Sequence, residues 1–61
     1  MRILMIGDVV GSPGRKIFRR EIPRIRAERD IGAVIVNAEN CAAGSGLTAA
    51  LAKEFFDAGA D

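Results

Sequence analysis

An α/β fold built on a parallel sheet is what this sequence predicts, and three observations predict it. Two short apolar runs, Arg2–Ile6 and residues 33–36, are rich in residues that favour strands and too short to be helices. Each is followed by a longer segment whose apolar residues recur at helical spacing. Each run also leads directly into a loop of Gly, Asp, Asn and other small residues. The order strand, helix, strand, helix calls for parallel pairing with right-handed crossovers.

The first strand is expected at Arg2–Ile6, interrupted by Gly7-Asp8. Residues 9–14 read as a loop with Gly7, Gly11 and Gly14 in reach. Ser12 then has the place of an N-cap and Pro13 that of the first helical residue, opening a helix over residues 13–29. Phe18, Ile22 and Ile25, with Ile17 beside them, form its apolar stripe, and Pro23 should kink or split it. Asp30-Ile31-Gly32 ends the helix and residues 33–36 form a second buried strand. Residues 37–46 make a polar, small-residue loop, with Gly44-Ser45-Gly46 as a flexible connection. Thr48 is an N-cap for a second helix, Ala49–Ala58, with Leu47, Leu51 and Phe55 on one face and Ala52 and Phe56 beside it. Gly59 is placed to stop it.

With 61 residues the chain has room for one domain and only a small core. One Cys excludes an internal disulfide, and one Cys with no His excludes a Cys/His zinc site. No apolar run is long enough to span a bilayer, and Gly7-Asp8 breaks the first before it could be the core of a signal peptide. A cytoplasmic location is expected, in keeping with the unpaired Cys41. A parallel sheet wants both faces covered, which two strands and two helices cannot supply. The expectation is the N-terminal part of a longer α/β domain, incomplete at its C-terminal end, with an open sheet edge that also admits self-association.

Net charge is +1, but seven of the nine basic residues fall in one stretch: Arg15, Lys16, Arg19, Arg20, Arg24, Arg26 and Arg29. An RNA partner would use such a run. The plainer account is the solvated face of an amphipathic helix, and Phe18 is the one aromatic there for base stacking.

In open α/β sheets ligands bind outside the carboxyl ends of the strands. Both loops lie at that edge, and each carries one carboxylate just past its strand, Asp8 and Glu39. Neighbouring strands are about 4.8 Å apart, so both carboxylates can face one point. Carboxylates so close repel unless a proton or a cation stands between them. Oxygen donors there suit Mg, Mn or Fe(II), and the amides of Asn37 and Asn40 would add neutral ligands. The plainer account makes Asp8 a turn residue and Glu39-Asn40 a polar loop.

A second enzyme class uses the glycines. Gly11-Ser12-Pro13-Gly14 supplies the latter half of the dinucleotide fingerprint, but Val9 stands where its first Gly belongs. Glu39 would then imitate the acidic residue that grips a ribose. Cys41 has no His or Lys near it in sequence to activate it and reads as a small buried thiol.

Residues 6–15, Ile-Gly-Asp-Val-Val-Gly-Ser-Pro-Gly-Arg, and residues 37–48, Asn-Ala-Glu-Asn-Cys-Ala-Ala-Gly-Ser-Gly-Leu-Thr, resemble the YmdB-type metallophosphoesterases. These are bacterial calcineurin-like enzymes described as 2′,3′-cyclic nucleotide phosphodiesterases. The resemblance runs through all 61 residues. It implies the N-terminal βαβα portion of a calcineurin-like sandwich and a phosphodiester substrate hydrolysed by a water activated between two divalent metals, Mn or Fe, with Mg as an alternative. By matching positions, Asp8 would ligate one metal, Glu39 would bridge both, and Asn40 would be a further ligand or would stand behind one. Ala38, Cys41 and Ala43 depart from the family's loop by small-for-small changes that leave those ligands in place. The family also uses histidines from a later Gly-Asn-His motif and beyond, and this chain has none, so on its own it is expected to be inactive.

Overall fold

Each apolar run forms a strand, and the two pair in parallel. A computed structural model describes residues 1–42 and 46–61. The expected connection at Gly44-Ser45 and the substitution at Ala43 lie outside the described residues. Strand β1 (Arg2–Ile6) pairs with β2 (Ile31–Val36) from Ile3 opposite Ala33 to Ile6 opposite Val36, with an irregularity between Arg2 and Ile3. Between them runs α1 (Gly11–Glu28), and α2 (Ala49–Ala58) follows β2.

The strand period of two decides which residues enter the core. Leu4 and Ile6 face inward with Val34 and Val36, and Val34 is fully buried. Ile3, Met5 and Ile35 turn to the other face and are 52–74% exposed. Helix α1 packs against β2 and α2 packs against α1. The sheet is therefore covered on one side only among the described residues, as the element count requires. Phe18 of α1 meets Phe55 of α2 edge to face, centroids 4.9 Å apart at 77°. They join Val9, Ile22, Val34 and Cys41 in one cluster. No described helix is long and apolar enough to cross a membrane.

Helix α2 and its caps lie where the sequence puts them. Thr48 accepts the Leu51 N–H on its hydroxyl at 3.2 Å, and Gly59 closes the helix at φ 121°. Leu51 and Phe55 turn inward, whereas Leu47 and Phe56 are more than half exposed.

Helix α1 departs from expectation at both ends. Its N-cap is Val10, not Ser12, and the helix begins at Gly11, so Pro13 is its third residue. The reason is tertiary. The Gly11 N–H donates to the Asn40 carbonyl at 3.1 Å, so the loop after β2 does the capping and no side chain is needed. Gly11 holds φ +61°, which favours glycine there. Pro23 does not split the helix, which continues to Glu28 with Phe18 and Ile22 buried ahead of the proline. Asp30 at φ 53° makes the turn, and β2 starts at Ile31, two residues earlier than expected.

Arg26 ties the far end together. Its guanidinium donates to the Gly59 and Gly32 carbonyls and to Asp61 Oδ2 at 2.7 Å. Asp61 in turn accepts the Val34 N–H on Oδ2 at 2.8 Å and donates its own N–H to the Val34 carbonyl at 2.9 Å.

Candidate functional site

The two loops meet beyond the carboxyl ends of β1 and β2. Backbone bonds lock them edge to edge: Asn37 N–H to the Ile6 carbonyl and Val9 N–H to the Asn37 carbonyl, both 3.1 Å. Parallel pairing thus continues past the strands, and Asp8 comes to lie beside the loop that carries Glu39 and Asn40.

The side chains complete the junction. Asn40 Nδ2 donates to both oxygens of Asp8, each at 3.1 Å. Glu39 is oriented by Asn37 instead: its N–H donates to Asn37 Oδ1 at 3.2 Å, and its Oε1 accepts from Asn37 Nδ2 at 3.4 Å. Asp8, Glu39 and Asn40 are all exposed, so the edge is open to solutes. The structure joins Asp8 directly to Asn40 and places Glu39 in the same loop, one residue away.

Behind this edge the packing is tight. Cys41 is fully buried, as its sequence setting led one to expect. Its carbonyl accepts from Arg15 Nη1. Gly14 lies against Val9, the residue after Asp8; a Cβ at Gly14 would stand 3.0 Å from Val9 Cγ1.

The donors are of the kind a hard divalent cation takes: carboxylate and amide oxygens. The position equidistant from both Asp8 oxygens is filled by the positive end of the Asn40 amide, the same polarity a cation would bring there. In number the donors make only part of a coordination shell. Among the described residues no group of three or more His, Cys, Asp or Glu is gathered to hold a metal. The donor set therefore fits a divalent ion in chemistry and requires further ligands to complete it.

The basic run is largely engaged with acids of the same fold. Arg19 donates to Glu54 at 2.8 Å, Arg24 binds Glu21 and Glu28, Arg20 pairs with Glu21, and Arg26 holds Asp61. These pairs favour the helix-face account of the run. Sequence reasoning missed Arg15 and Glu54 as supports of the site loop. Arg15 stood there as one of seven basic residues and as the end of the first resembling motif, and nothing local marks Glu54, 3.8 Å from its Nε, as its partner.

The family model described as YmdB-like protein matches residues 4–61. Over all 61 residues the chain is 44% identical to a 2′,3′-cyclic-nucleotide 2′-phosphodiesterase of Bacillus subtilis (strain 168), the match covering 100% of this chain and 23% of that protein. The crystal structure of a hypothetical protein from Thermus thermophilus superposes with a TM-score of 0.90 at 39% identity, covering 100% of this chain and 23% of that one. The chain spans about a quarter of the length of each.

Proposed function

The chain belongs to the YmdB-like family, and from that premise we propose that it supplies the first two ligand loops of a metal-dependent phosphodiesterase whose full-length form hydrolyses a cyclic nucleotide. One observation carries the reading: Asn40 closes on both oxygens of Asp8, so two loops far apart in sequence bring Asp8 and Asn40 together at one exposed edge. The Bacillus relative's name supplies the substrate class.

In this reading Asp8, Glu39 and Asn40 hold two divalent ions, Mn or Fe, together with ligands from the remainder of the protein. Bound there, the ions supply Lewis acidity and a water nucleophile at neutral pH. The residues of this chain set the geometry. Asn40 holds the Asp8 carboxylate at the exposed edge, Asn37 orients Glu39, and the ladder from Ile6 through Asn37 to Val9 keeps the two loops from drifting apart. The chain has no His and so offers no imidazole for proton transfer.

The test is hydrolysis of 2′,3′-cyclic AMP by the full-length protein. Mn2+-dependent turnover abolished by chelator and by Glu39→Ala, but kept in Arg20→Ala, is the expected result. Turnover unchanged in Glu39→Ala overturns the reading.

A further inference from the structure

Two successive carbonyls of the site loop are held from α1. The Gly11 N–H donates to the Asn40 carbonyl at 3.1 Å, and Arg15 Nη1, one helical turn further on, donates to the Cys41 carbonyl. The Cys41 side chain is fully buried in the core cluster. Asn40 thus has its own carbonyl bound, and the next residue is fixed both by its carbonyl and by its side chain. What remains to Asn40 is rotation of its side chain, and that side chain ends on Asp8.

Arg15 is itself held. Its Nε lies 3.8 Å from Glu54 Oε2 of α2, an ion pair too long for a hydrogen bond, and both atoms are shut off from solvent. The other Glu54 oxygen accepts from Arg19 at 2.8 Å. A guanidinium that is 22% exposed requires a nearby negative charge, and Glu54 is that charge. Only a fork can face a carbonyl with one nitrogen and a carboxylate with another; an ammonium offers a single point of charge.

We propose that Arg15, oriented by Glu54, is a positioning residue for the metal site: it fixes the carbonyl of Cys41, next after the Asn40 carbonyl that Gly11 holds, and so sets where Asn40 meets Asp8 and the cation. The inference rests on the phosphodiesterase reading above and extends it to two residues that stand behind the site loop. Partners that orient ligands from behind typically change metal affinity 10- to 100-fold when removed.

The experiment follows free Mn2+ by electron paramagnetic resonance during titration of the full-length protein, beside urea unfolding in EDTA. Arg15→Ala is expected to raise the Mn2+ Kd about tenfold. Arg15→Lys and Glu54→Gln are expected to raise it several-fold, Arg15→Lys while keeping the urea midpoint in EDTA close to the parent's. Arg20→Ala, on the exposed side of α1, should bind as the parent does. If Arg15→Ala does not fold, the two conservative variants decide. Mn2+ affinity within twofold of the parent in both, whatever their urea midpoints, overturns the proposal and leaves Arg15 a stability residue. Loss of binding in Glu39→Ala alongside unchanged Arg15 variants sinks this inference alone. A parent that binds no Mn2+, or a Glu39→Ala protein that binds like the parent, sinks the phosphodiesterase reading and this inference with it.

Discussion

Asn40 stands 3.1 Å from each oxygen of Asp8, an amide placed symmetrically across a carboxylate that leaves the end of the neighbouring strand. That contact joins the loop after β1 to the loop after β2 at the edge where the donors face solvent. In Asn40→Asp it would become carboxylate against carboxylate, which repel unless a cation intervenes. The variant should unfold at lower urea than the parent in EDTA and gain more thermal stability than the parent when Mn2+ is added. Equal gains from Mn2+ in both would show that no cation sits between these positions.

Gly14 makes room for Val9, which is 6% exposed and follows Asp8 directly. A methyl group there stands 3.0 Å from Cγ1 of the buried Val9 side chain, which must give by a few tenths of an ångström, while the Val9 carbonyl carbon at 3.5 Å is in ordinary contact. Gly14→Ala should cost about 1–3 kcal/mol, the range of overpacked cores, read from urea unfolding. Because the displaced residue adjoins Asp8, Mn2+ affinity should fall as well.

The edge-to-face pair of Phe18 and Phe55 links the two helices within the core. Phe55→Ala should cost about 3–5 kcal/mol by urea unfolding, and Phe55→Leu clearly less, because leucine refills most of the volume. Phe56→Ala, one residue on and 59% exposed, should change stability by less than about 0.5 kcal/mol.

Acid stability is set in part by Asp61 and Glu21. The Val34 N–H, and then Arg26, hold the Asp61 carboxyl below its ordinary value of 3.8. The hydrogen bond from Arg24 does the same for Glu21 below 4.5. A carboxyl depressed in the folded state stabilises above its unfolded pKa, and the contribution is lost as pH falls through the folded one. Stability should therefore hold from neutral pH down to about pH 4 and decline below it. Asp61→Asn should be less stable than the parent at pH 7, with the gap closing below pH 4. A gap that is constant with pH would contradict the assignment.

What was legible in the sequence followed the range of the interactions. Helix α2 could be read residue by residue because its signals are local: Thr48 caps within its own first turn and Gly59 stops it. The start of α1 could not, because its capping carbonyl belongs to Asn40, across the fold. Ser12 and Pro13 carry an ordinary helix-start pattern that tertiary contact overrode by two residues. Strand β2 reached back to Ile31 because Asp30, at φ 53°, turns the chain sooner than Gly32 would have suggested. For the site, strand order was enough to bring the Asp8 and Asn40 loops to one edge. The pairing of Glu39 with Asn37 and the support from Arg15 and Glu54 depend on side-chain directions that composition and spacing do not encode.

The central claim is that Asp8, Glu39 and Asn40 are metal ligands. The most direct measurement is anomalous diffraction at the manganese edge from crystals of the full-length protein grown with Mn2+. The account predicts two strong peaks beside these residues, with oxygens of Asp8 and Glu39 within about 2.0–2.6 Å of them, the range of hard-cation–oxygen bonds. Manganese bound elsewhere, with the Asn40 amide still closed on Asp8, would contradict it.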